Sequence, residues 1–326
     1  MEIARSLGLA KAKGLKFMGH SYKFIDLFAG IGGTRIAFEK NGAECVFSSE
    51  WDQFAQKTYA ANFGETPNGD ITKINATDIP KFDILVGGFP CQPFSMLGKR
   101  QGFQHETQGT LFYDVARILD HHKPKSFLLE NVAGLVTHDE KRTFSTILEV
   151  LDSLGYEVKY KVLDAADYGV PQRRDRIYIV GFNRRKVRSA DFAFPKPSVK
   201  KVPIGQFVES GRQDLAISKH LQEVYIYKLD DGRPEIITQK SQIQVKTLVA
   251  SYHKIQRLTG TFVKDGPTGL RLLSENECKA IMGFPKSFKV PVSRTQMYRQ
   301  FGNSVAVPVV KKIAKQMIQF LDENGR

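Results

Sequence analysis

Short apolar runs alternate with helical patterns between residues 23 and 182. The strand-like runs cover residues 23–28, 45–50, 82–86, 126–130, 156–163 and 177–182. Residues 110–122 and 141–154 place apolar side chains every three or four positions, which is typical of amphipathic helices. This alternation predicts a doubly wound α/β fold with a mostly parallel sheet, because parallel strands need long crossover connections. Ligands of such folds bind at the carboxyl ends of the strands, so residues that follow each strand are candidate site residues.

The pattern changes after Phe182. A charged run at 184–188 and a proline-containing stretch at 194–197 interrupt it, and residues 200–270 contain no clear long helix. β-prone pieces at 236–238 and 247–249 predict a small, irregular, β-rich unit there. Helical signals return at Ser274, which fits a capping box with Glu277. We expect a last helix, roughly 306–322, to pack back on the first domain.

The net charge of +14 is unevenly distributed along the chain. Residues 1–182 carry 22 Lys+Arg and 22 Asp+Glu, residues 183–270 carry 16 and 8, and residues 271–326 carry 10 and 4. The whole excess of positive charge therefore follows residue 182. A neutral part followed by a basic part indicates that the second part holds a polyanion such as nucleic acid. A basic surface that is merely solvated is the alternative.

Cysteine usage and hydropathy exclude several classes of protein. The three cysteines, Cys45, Cys91 and Cys278, are far apart and lack metal-type spacing, which predicts no metal site and a reducing compartment. No apolar run approaches the roughly 20 residues of a membrane span. Residues 1–20 are basic without a continuous apolar stretch, so a signal peptide is not expected. The prediction is a cytoplasmic protein of bacterial type without a membrane partner.

A glycine-rich turn joins the first strand to the first helix. It consists of Phe28, Ala29, Gly30, Ile31, Gly32 and Gly33, and its spacing is not that of a dinucleotide site. Glu50 ends the next strand, where an acid commonly binds ribose hydroxyls. Trp51 could stack on an adenine or be a core aromatic, and Asp70–Ile71 follow at the next edge. Together these residues predict an adenosine-bearing cofactor without a pyrophosphate.

Two further motifs carry reactive side chains. Cys91 stands between two prolines in the loop 87–95, directly after a short buried strand. A thiolate presented from such a stiff loop is a strong nucleophile. Glu130 ends another strand, so both side chains could face one pocket. There, a carboxyl that retains its proton could donate to a ring nitrogen.

The arginine-rich run 172–176 suits phosphate and carbonyl contacts, or is a solvated charge cluster.

In this order, the motifs resemble those of bacterial DNA cytosine-5 methyltransferases. The matching stretches are residues 24–33, 88–92, 130–132, 172–176 and 300–305. Layout and length are closest to the single-domain modification methylases of the HhaI type. The resemblance covers residues 24–182 and 271–310, and it implies the S-adenosylmethionine-dependent methyltransferase fold. It also implies a cofactor, S-adenosylmethionine, which leaves as S-adenosylhomocysteine.

The resemblance assigns roles to individual residues. The following would surround the cofactor: Phe28, Ala29, Gly30, Gly32, Gly33, Glu50, Trp51, Asp70, Ile71, Pro90, Leu111 and Asn303. Cys91 would attack C6 of a flipped cytosine, and Glu130 would bind the N3/N4 edge while C5 takes the methyl group. Arg176 would hold the base O2 and Arg174 a nearby phosphate. Loss of the C5 proton and release of the thiol would complete the cycle.

The resemblance also implies a division of the chain. We expect an extension at 1–20, a catalytic and cofactor-binding domain at 21–184, a target-recognition domain at 185–270, and a C-terminal segment at 271–326 that packs on the catalytic domain. DNA contacts are expected from Gln92, Ser95, Thr259 and Gly260, with Thr268–Gly269 as a rival to the last pair. The implied partner is double-stranded DNA bound by a monomer. The enzyme would either protect DNA from a cognate restriction endonuclease, without a stable complex, or serve as an orphan regulator.

Two alternatives keep the fold and change the function. One is methylation of cytosine in transfer RNA, and the other is a non-catalytic DNA-binding protein. The basic segment of recognition-domain size argues against the first, and intact Cys91 and Glu130 argue against the second. A metabolic dehydrogenase fits poorly, because the glycine spacing differs and the basic half would have no purpose.

Overall fold

A six-stranded sheet forms the centre of the molecule in a computed structural model, which describes residues 21–90, 111–188, 191–197 and 200–326. Its strands are β1 (Lys23–Leu27), β2 (Glu44–Ser49), β3 (Ile84–Gly87), β4 (Ser126–Val132), β5 (Tyr156–Asp164) and β6 (Asp175–Asn183). They lie in the order β2-β1-β3-β4-β6-β5. β1 to β4 pair in parallel, whereas β6 runs antiparallel to both neighbours. The predicted doubly wound, mostly parallel α/β fold is confirmed.

The antiparallel end of the sheet follows from a short connection. Only ten residues separate β5 from β6, and their regular structure is one 3₁₀ turn, Ala165–Tyr168. Such a segment is too short for a helical crossover, so the chain can only turn back beside the strand it has just left.

Helices cover both faces of the sheet. They are α1 (Gly33–Glu39), α2 (Gln53–Phe63), α3 (Leu111–His122) and α4 (Arg142–Ser153). Neighbouring residues of one strand enter opposite cores: Phe24 packs in one apolar cluster and Ile25 in the other. This alternation is the period of two expected for a strand that is buried on both faces. Each element lies within a few residues of its predicted position.

The C-terminal part is helical, as predicted. It contains α6 (Glu275–Met282), α7 (Arg294–Asn303) and α8 (Val307–Asn324). Ser274 and Glu277 form the predicted capping box. α8 packs against α1, and Asn41 Nδ2 at the end of α1 donates to the carbonyl of Lys311 at 3.0 Å. The last helix therefore returns to the first domain, as expected.

The described residues between 185 and 270 are mostly irregular. A helical turn, α5 (Lys219–Leu221), leads into one π-helical turn, and two short parallel strands follow, β7 (Glu235–Ile237) and β8 (Thr261–Val263). The predicted strand at 247–249 is wrong, because the backbone of Leu248 is bonded by side chains rather than by a neighbouring strand. The apolar core continues from this region into the sheet, so the domain boundaries at 184 and 270 stay a prediction.

None of the helices in the described ranges is both long and apolar enough to cross a membrane.

Candidate active site

A cavity of about 550 Å³ opens at the carboxyl ends of the parallel strands. Its walls include residues from each of the five motif stretches that carry the family resemblance. The lining residues are 28–31, 33, 34, 49–52, 55, 69–71, 88–90, 111, 130–132, 174, 176, 296, 299, 300 and 302–305. The cavity lies where a doubly wound sheet binds its ligand.

The glycine-rich turn is tied to the neighbouring strand. Phe28 and Gly30 both have a positive φ, 57° and 55°, which bends the chain sharply after β1. The N–H of Ala29 donates to the carbonyl of Ser49 at 2.9 Å, and the N–H of Gly30 donates to Glu50 Oε2 at 2.8 Å. A positive φ is uncommon for phenylalanine, so the surrounding contacts must hold the turn in this shape.

Glu50 presents its carboxylate at the edge of the cavity. Oε1 accepts from the N–H of Asp52 at 2.8 Å, while Oε2 accepts from Gly30. Burial raises the pKa of Glu50, and these backbone donors oppose the rise. Because each carboxylate oxygen has two lone pairs, both oxygens can still accept a hydroxyl of a ligand.

Trp51 lines the cavity with 68% of its surface exposed. The alternative of a core aromatic is therefore wrong, and the indole is available for stacking on a ligand. Asp70 also lines the cavity and accepts from the hydroxyl of Thr72 at 2.8 Å, which lowers the pKa of Asp70. Ile71 beside it is buried and supplies an apolar wall.

Most of the predicted cofactor residues line this cavity, and Gly32 does not. The lining set includes Phe28, Ala29, Gly30, Gly33, Glu50, Trp51, Asp70, Ile71, Pro90, Leu111 and Asn303. At Gly32 a Cβ atom would lie 2.2 Å from Cε2 of Phe63, and φ is 84°. The absence of a side chain there lets α2 pack against the turn, and the ligand contact of Gly32 stays a prediction.

The loop that carries the predicted nucleophile begins in the wall of the cavity. Cys91, Gln92 and Ser95 lie outside the described residues. Pro90, which precedes Cys91, lines the cavity, and the carbonyl of Phe89 accepts from Asn131 Nδ2 at 2.9 Å. The side chain of Asn131 therefore fixes the chain where it leaves β3.

Glu130 and Arg176 form an ion pair inside the cavity. Glu130 Oε1 lies 3.2 Å from Arg176 Nε, and only 16% and 15% of the two side chains are exposed. Burial raises the pKa of Glu130, while the charges of Arg176 and Arg174 lower it. The carboxyl is thus held in a low-dielectric site with a cation next to it, where it can keep or share a proton.

Arg174 is held by backbone carbonyls. Its side chain is buried, Nη1 donates to the carbonyl of Leu248 at 3.1 Å, and Nη2 donates to those of Gly302 and Ser304 at 2.9 and 2.8 Å. Burial lowers the pKa of Arg174 to about 10. Carbonyls bind both terminal nitrogens, whereas Nε has no hydrogen-bond partner among the described residues, so the predicted phosphate contact stays a prediction.

Several lining residues were missed by the sequence analysis. Asn131, Gln296, Arg299, Gln300, Ser304 and Val305 all contribute to the cavity. Gln300 accepts from the hydroxyl of Thr58 at 2.9 Å, which joins α7 to α2. Residues 300–305 belong to a motif that was recognised, yet only Asn303 was selected from it. Gln296, Arg299 and Gln300 lie in α7 and Ser304 and Val305 directly follow it, and the apolar pattern of this short polar helix does not tell which polar side chains face a ligand.

The predicted DNA contacts in residues 185–270 lie away from this cavity. Thr259 is exposed and its hydroxyl donates to Gln256 Oε1 at 3.1 Å, whereas Gly260 is buried. The hydroxyl of the rival Thr268 donates to the carbonyl of Leu270. Neither pair lines the cavity among the described residues, so the choice between them stays open.

Comparison with known proteins identifies the family. A family model described as C-5 cytosine-specific DNA methylase matches residues 22–319. The chain is 58% identical over 296 residues to the Type II methyltransferase M.MspI of Moraxella sp, covering 91% of this chain and 70% of that protein. It is 61% identical over 300 residues to the Type II methyltransferase M.BsuFI of Bacillus subtilis, covering 92% and 73%.

Solved structures share the fold at lower sequence identity. A Spodoptera frugiperda DNMT2 mutant superposes with a TM-score of 0.74 at 23% identity, covering 91% of this chain and 99% of that one. A putative DNA modification methyltransferase from an Escherichia coli prophage gives 0.71 at 21%, covering 92% and 99%. The chain belongs to the family of C-5 cytosine-specific DNA methylases and is an S-adenosylmethionine-dependent DNA (cytosine-5-)-methyltransferase.

Proposed function

We propose that this enzyme methylates C5 of a cytosine flipped out of duplex DNA, through a covalent bond between Cys91 Sγ and C6. One observation carries the proposal: a single cavity joins the Glu50–Trp51 wall to the Glu130–Arg176 pair. A base stacked in a duplex cannot present its ring atoms to such a cavity, so flipping is required.

The wall that contains Glu50 and Trp51 fits S-adenosylmethionine. Glu50 can accept both ribose hydroxyls, Trp51 can stack on the adenine, and Ile71 provides an apolar surface beside it. When bound, this cofactor supplies the methyl group on a sulfonium centre. Asn303, which lines the same cavity, would bind the amino-acid end of the cofactor.

The part of the cavity that contains Glu130 and Arg176 fits the chemistry of cytosine. Addition of the Cys91 thiolate to C6 pushes electron density to C5, and a proton from Glu130 at N3 stabilises the resulting enamine. Arg176 holds Glu130 and can donate to O2 of the base. After C5 is methylated it loses its proton to solvent, the C6–S bond breaks with its electron pair returning to the thiolate, and N3 gives its proton back to Glu130.

The environment of Glu130 suits this role. Its raised pKa lets the carboxyl carry a proton nearer to neutral pH than an exposed glutamate does. The nearby cation of Arg176 stabilises the ionised carboxylate, so Glu130 can still give up its proton. Glu130 must donate a proton and recover it in each turnover, and both steps require a pKa at which the carboxyl can exist with and without its proton.

The remaining features support a modification enzyme. The similar proteins from Moraxella and Bacillus are Type II methyltransferases, and this supports a restriction–modification role beside an endonuclease that forms no stable complex with it. Residues 185–270 would form the target-recognition domain, whose excess of Lys+Arg suits phosphate contacts. We propose a monomer that acts on the DNA in the bacterial cytoplasm.

A trapping experiment tests the covalent step. Duplex DNA is copied from genomic template with 5-fluorocytosine in place of cytosine, so that every target site is represented. Fluorine at C5 cannot leave as a proton, so the enzyme stays bound through Cys91. We expect wild-type protein and Cys45→Ala to form a denaturation-resistant complex that requires S-adenosylmethionine. Cys91→Ser should bind DNA without forming it, and an adduct with that variant would overturn the assignment.

A further inference from the structure

The residues around Arg174 fasten the middle of the chain to the predicted recognition domain. The N–H of Val245 donates to the carbonyl of Pro171 at 2.9 Å, and the N–H of Arg173 donates back to the carbonyl of Val245 at 2.8 Å. The hydroxyl of Thr247 donates to the carbonyl of Arg173 at 2.8 Å. Two backbone segments distant in sequence are therefore held in a fixed register.

Leu248 is bound by two side chains at once. Its N–H donates to Gln172 Oε1 at 2.7 Å, and its carbonyl accepts from Arg174 Nη1 at 3.1 Å. Gln172 and Arg174 are both buried, so water cannot easily replace either hydrogen bond. Because residues 172 and 174 are two apart in extended chain, their side chains point the same way.

The same guanidinium holds the chain around Asn303. Arg174 Nη2 donates to the carbonyls of Gly302 and Ser304, the residues on either side of Asn303. Asn303 itself lines the cavity. One rigid planar group therefore bonds both the segment at Leu248 and the segment that presents a predicted cofactor residue.

The two segments also touch directly. A Cβ atom at Gly302 would lie 2.2 Å from the backbone nitrogen of Ala250 and 2.4 Å from the carbonyl carbon of Val249. Only glycine permits such an approach of one backbone to another. A displacement of residues 302–304 must therefore move residues 248–250, or break hydrogen bonds that are buried.

We propose that Arg174 is a positioning residue that couples cofactor binding at Asn303 to DNA binding by residues 185–270. The proposal rests on the proposed cofactor and DNA sites. Arg174 lines the cavity, and the coupling acts through the backbone carbonyls that its two terminal nitrogens hold. A cofactor that orders residues 302–304 also orders Leu248, so the duplex meets a recognition segment already in place and binds more tightly.

The test measures this coupling in the full chain. The duplex is short and carries the methylated motif found by sequencing. Its dissociation constant is measured without S-adenosylhomocysteine and with saturating S-adenosylhomocysteine. The coupling factor is the first constant divided by the second. Coupling between sites is typically about 5- to 150-fold. We expect a factor in this range for the wild type, a factor near unity for Arg174→Met, and an intermediate one for Arg174→Lys, which keeps the charge but not the fork.

Arg173→Lys is the matched control. The Arg173 side chain is 60% exposed, and its Nη2 lies 3.8 Å from Glu235. We expect this variant to keep the wild-type coupling factor, while each variant's affinity for S-adenosylhomocysteine alone reports whether the cofactor site is intact. An unchanged factor in folded Arg174→Met would overturn the proposal, and so would a wild-type factor of unity. Wild type that binds neither ligand would instead overturn the proposed function.

A second measurement needs no variant. Hydrogen exchange is followed in wild-type protein with and without S-adenosylhomocysteine, in the absence of DNA. The amide of Leu248, which donates to Gln172, should exchange several-fold more slowly when the ligand is bound. An exchange rate that does not respond, in protein shown to bind the ligand, would contradict the coupling even if Arg174→Met failed to fold.

Discussion

Arg176 Nε lies 3.2 Å from Glu130 Oε1, across the neighbouring strands β6 and β4. In the antiparallel register Arg176 stands opposite Val132, two residues beyond Glu130, so the pair is a diagonal contact on one face. The sheet itself thus fixes the distance between acid and cation. Such a pair is held more precisely than one carried by loops, as a proton donor requires.

Glu130→Gln should reduce methyl transfer while leaving cofactor binding intact. Glutamine can still fill the site and accept from Arg176, but it has no proton to deliver to N3. The expected loss in kcat is on the order of 10²- to 10⁴-fold. Single-turnover transfer of labelled methyl to duplex DNA measures it, with Glu157→Gln on the edge strand β5 as control. Near-normal turnover would remove Glu130 from the mechanism.

The rate of methyl transfer should fall at alkaline pH, and Arg176 should determine the pH at which it falls. Donation requires protonated Glu130, so activity is lost as pH rises through its raised pKa. Arg176 lowers that pKa, so Arg176→Met should raise it and move the alkaline fall to higher pH, although the maximum rate is smaller. Single-turnover rates across pH test this. A fall that moves to lower pH would contradict the assignment.

Trp51→Ala should weaken cofactor binding without destabilising the fold. The side chain is 68% exposed, so its loss leaves no hole in the core. Loss of aromatic stacking on a base costs about 1–2 kcal/mol, or roughly a tenfold rise in the dissociation constant of S-adenosylhomocysteine. Calorimetric titration measures it, and Phe54→Ala, an exposed aromatic outside the cavity lining, is the control. Equal affinities in both variants would argue against stacking.

Asp26→Asn should change how stability depends on pH. Asp26 is buried in β1, and burial raises its pKa to about 8, against the attraction of Arg35. Between the unfolded pKa of about 4 and this value, the folded state keeps a proton that the unfolded state releases. The free energy of unfolding therefore falls as pH rises through that window, by roughly 5 kcal/mol at most.

The asparagine variant carries no charge and should lack this fall. Its free energy of unfolding should match that of the wild type near the unfolded pKa of Asp26. Above the folded pKa it should exceed that of the wild type. Urea unfolding at several pH values measures the difference, and exposed Asp230→Asn should follow the wild type. Parallel pH curves for Asp26→Asn and the wild type would contradict the prediction.

Much of the cavity could be predicted because strand ends are readable in a sequence. Glu50 directly follows β2 and Glu130 lies two residues before the end of β4, and the sheet topology then brings them to one edge. The direction of β6 could not be predicted from apolar runs, since parallel and antiparallel strands both read as buried.

The role of Arg174 was outside the reach of sequence patterns for another reason. Its partners are the carbonyls of Leu248, Gly302 and Ser304, which lie 74, 128 and 130 residues away in the chain. A carbonyl is present at every residue, so no residue type marks such a contact. Gly32 presents another ambiguity. The sequence cannot tell whether glycine is needed there for packing against Phe63 or for a ligand contact.

The most direct test of the central claim is base-resolution mapping of 5-methylcytosine in a methylation-free bacterial host. The host expresses either the wild-type chain or Cys91→Ser at equal levels. We predict methylation confined to one short motif with the wild type and a blank map with the variant. A blank map from well-expressed, folded wild-type protein, or the same methylated motif from Cys91→Ser, would contradict the account.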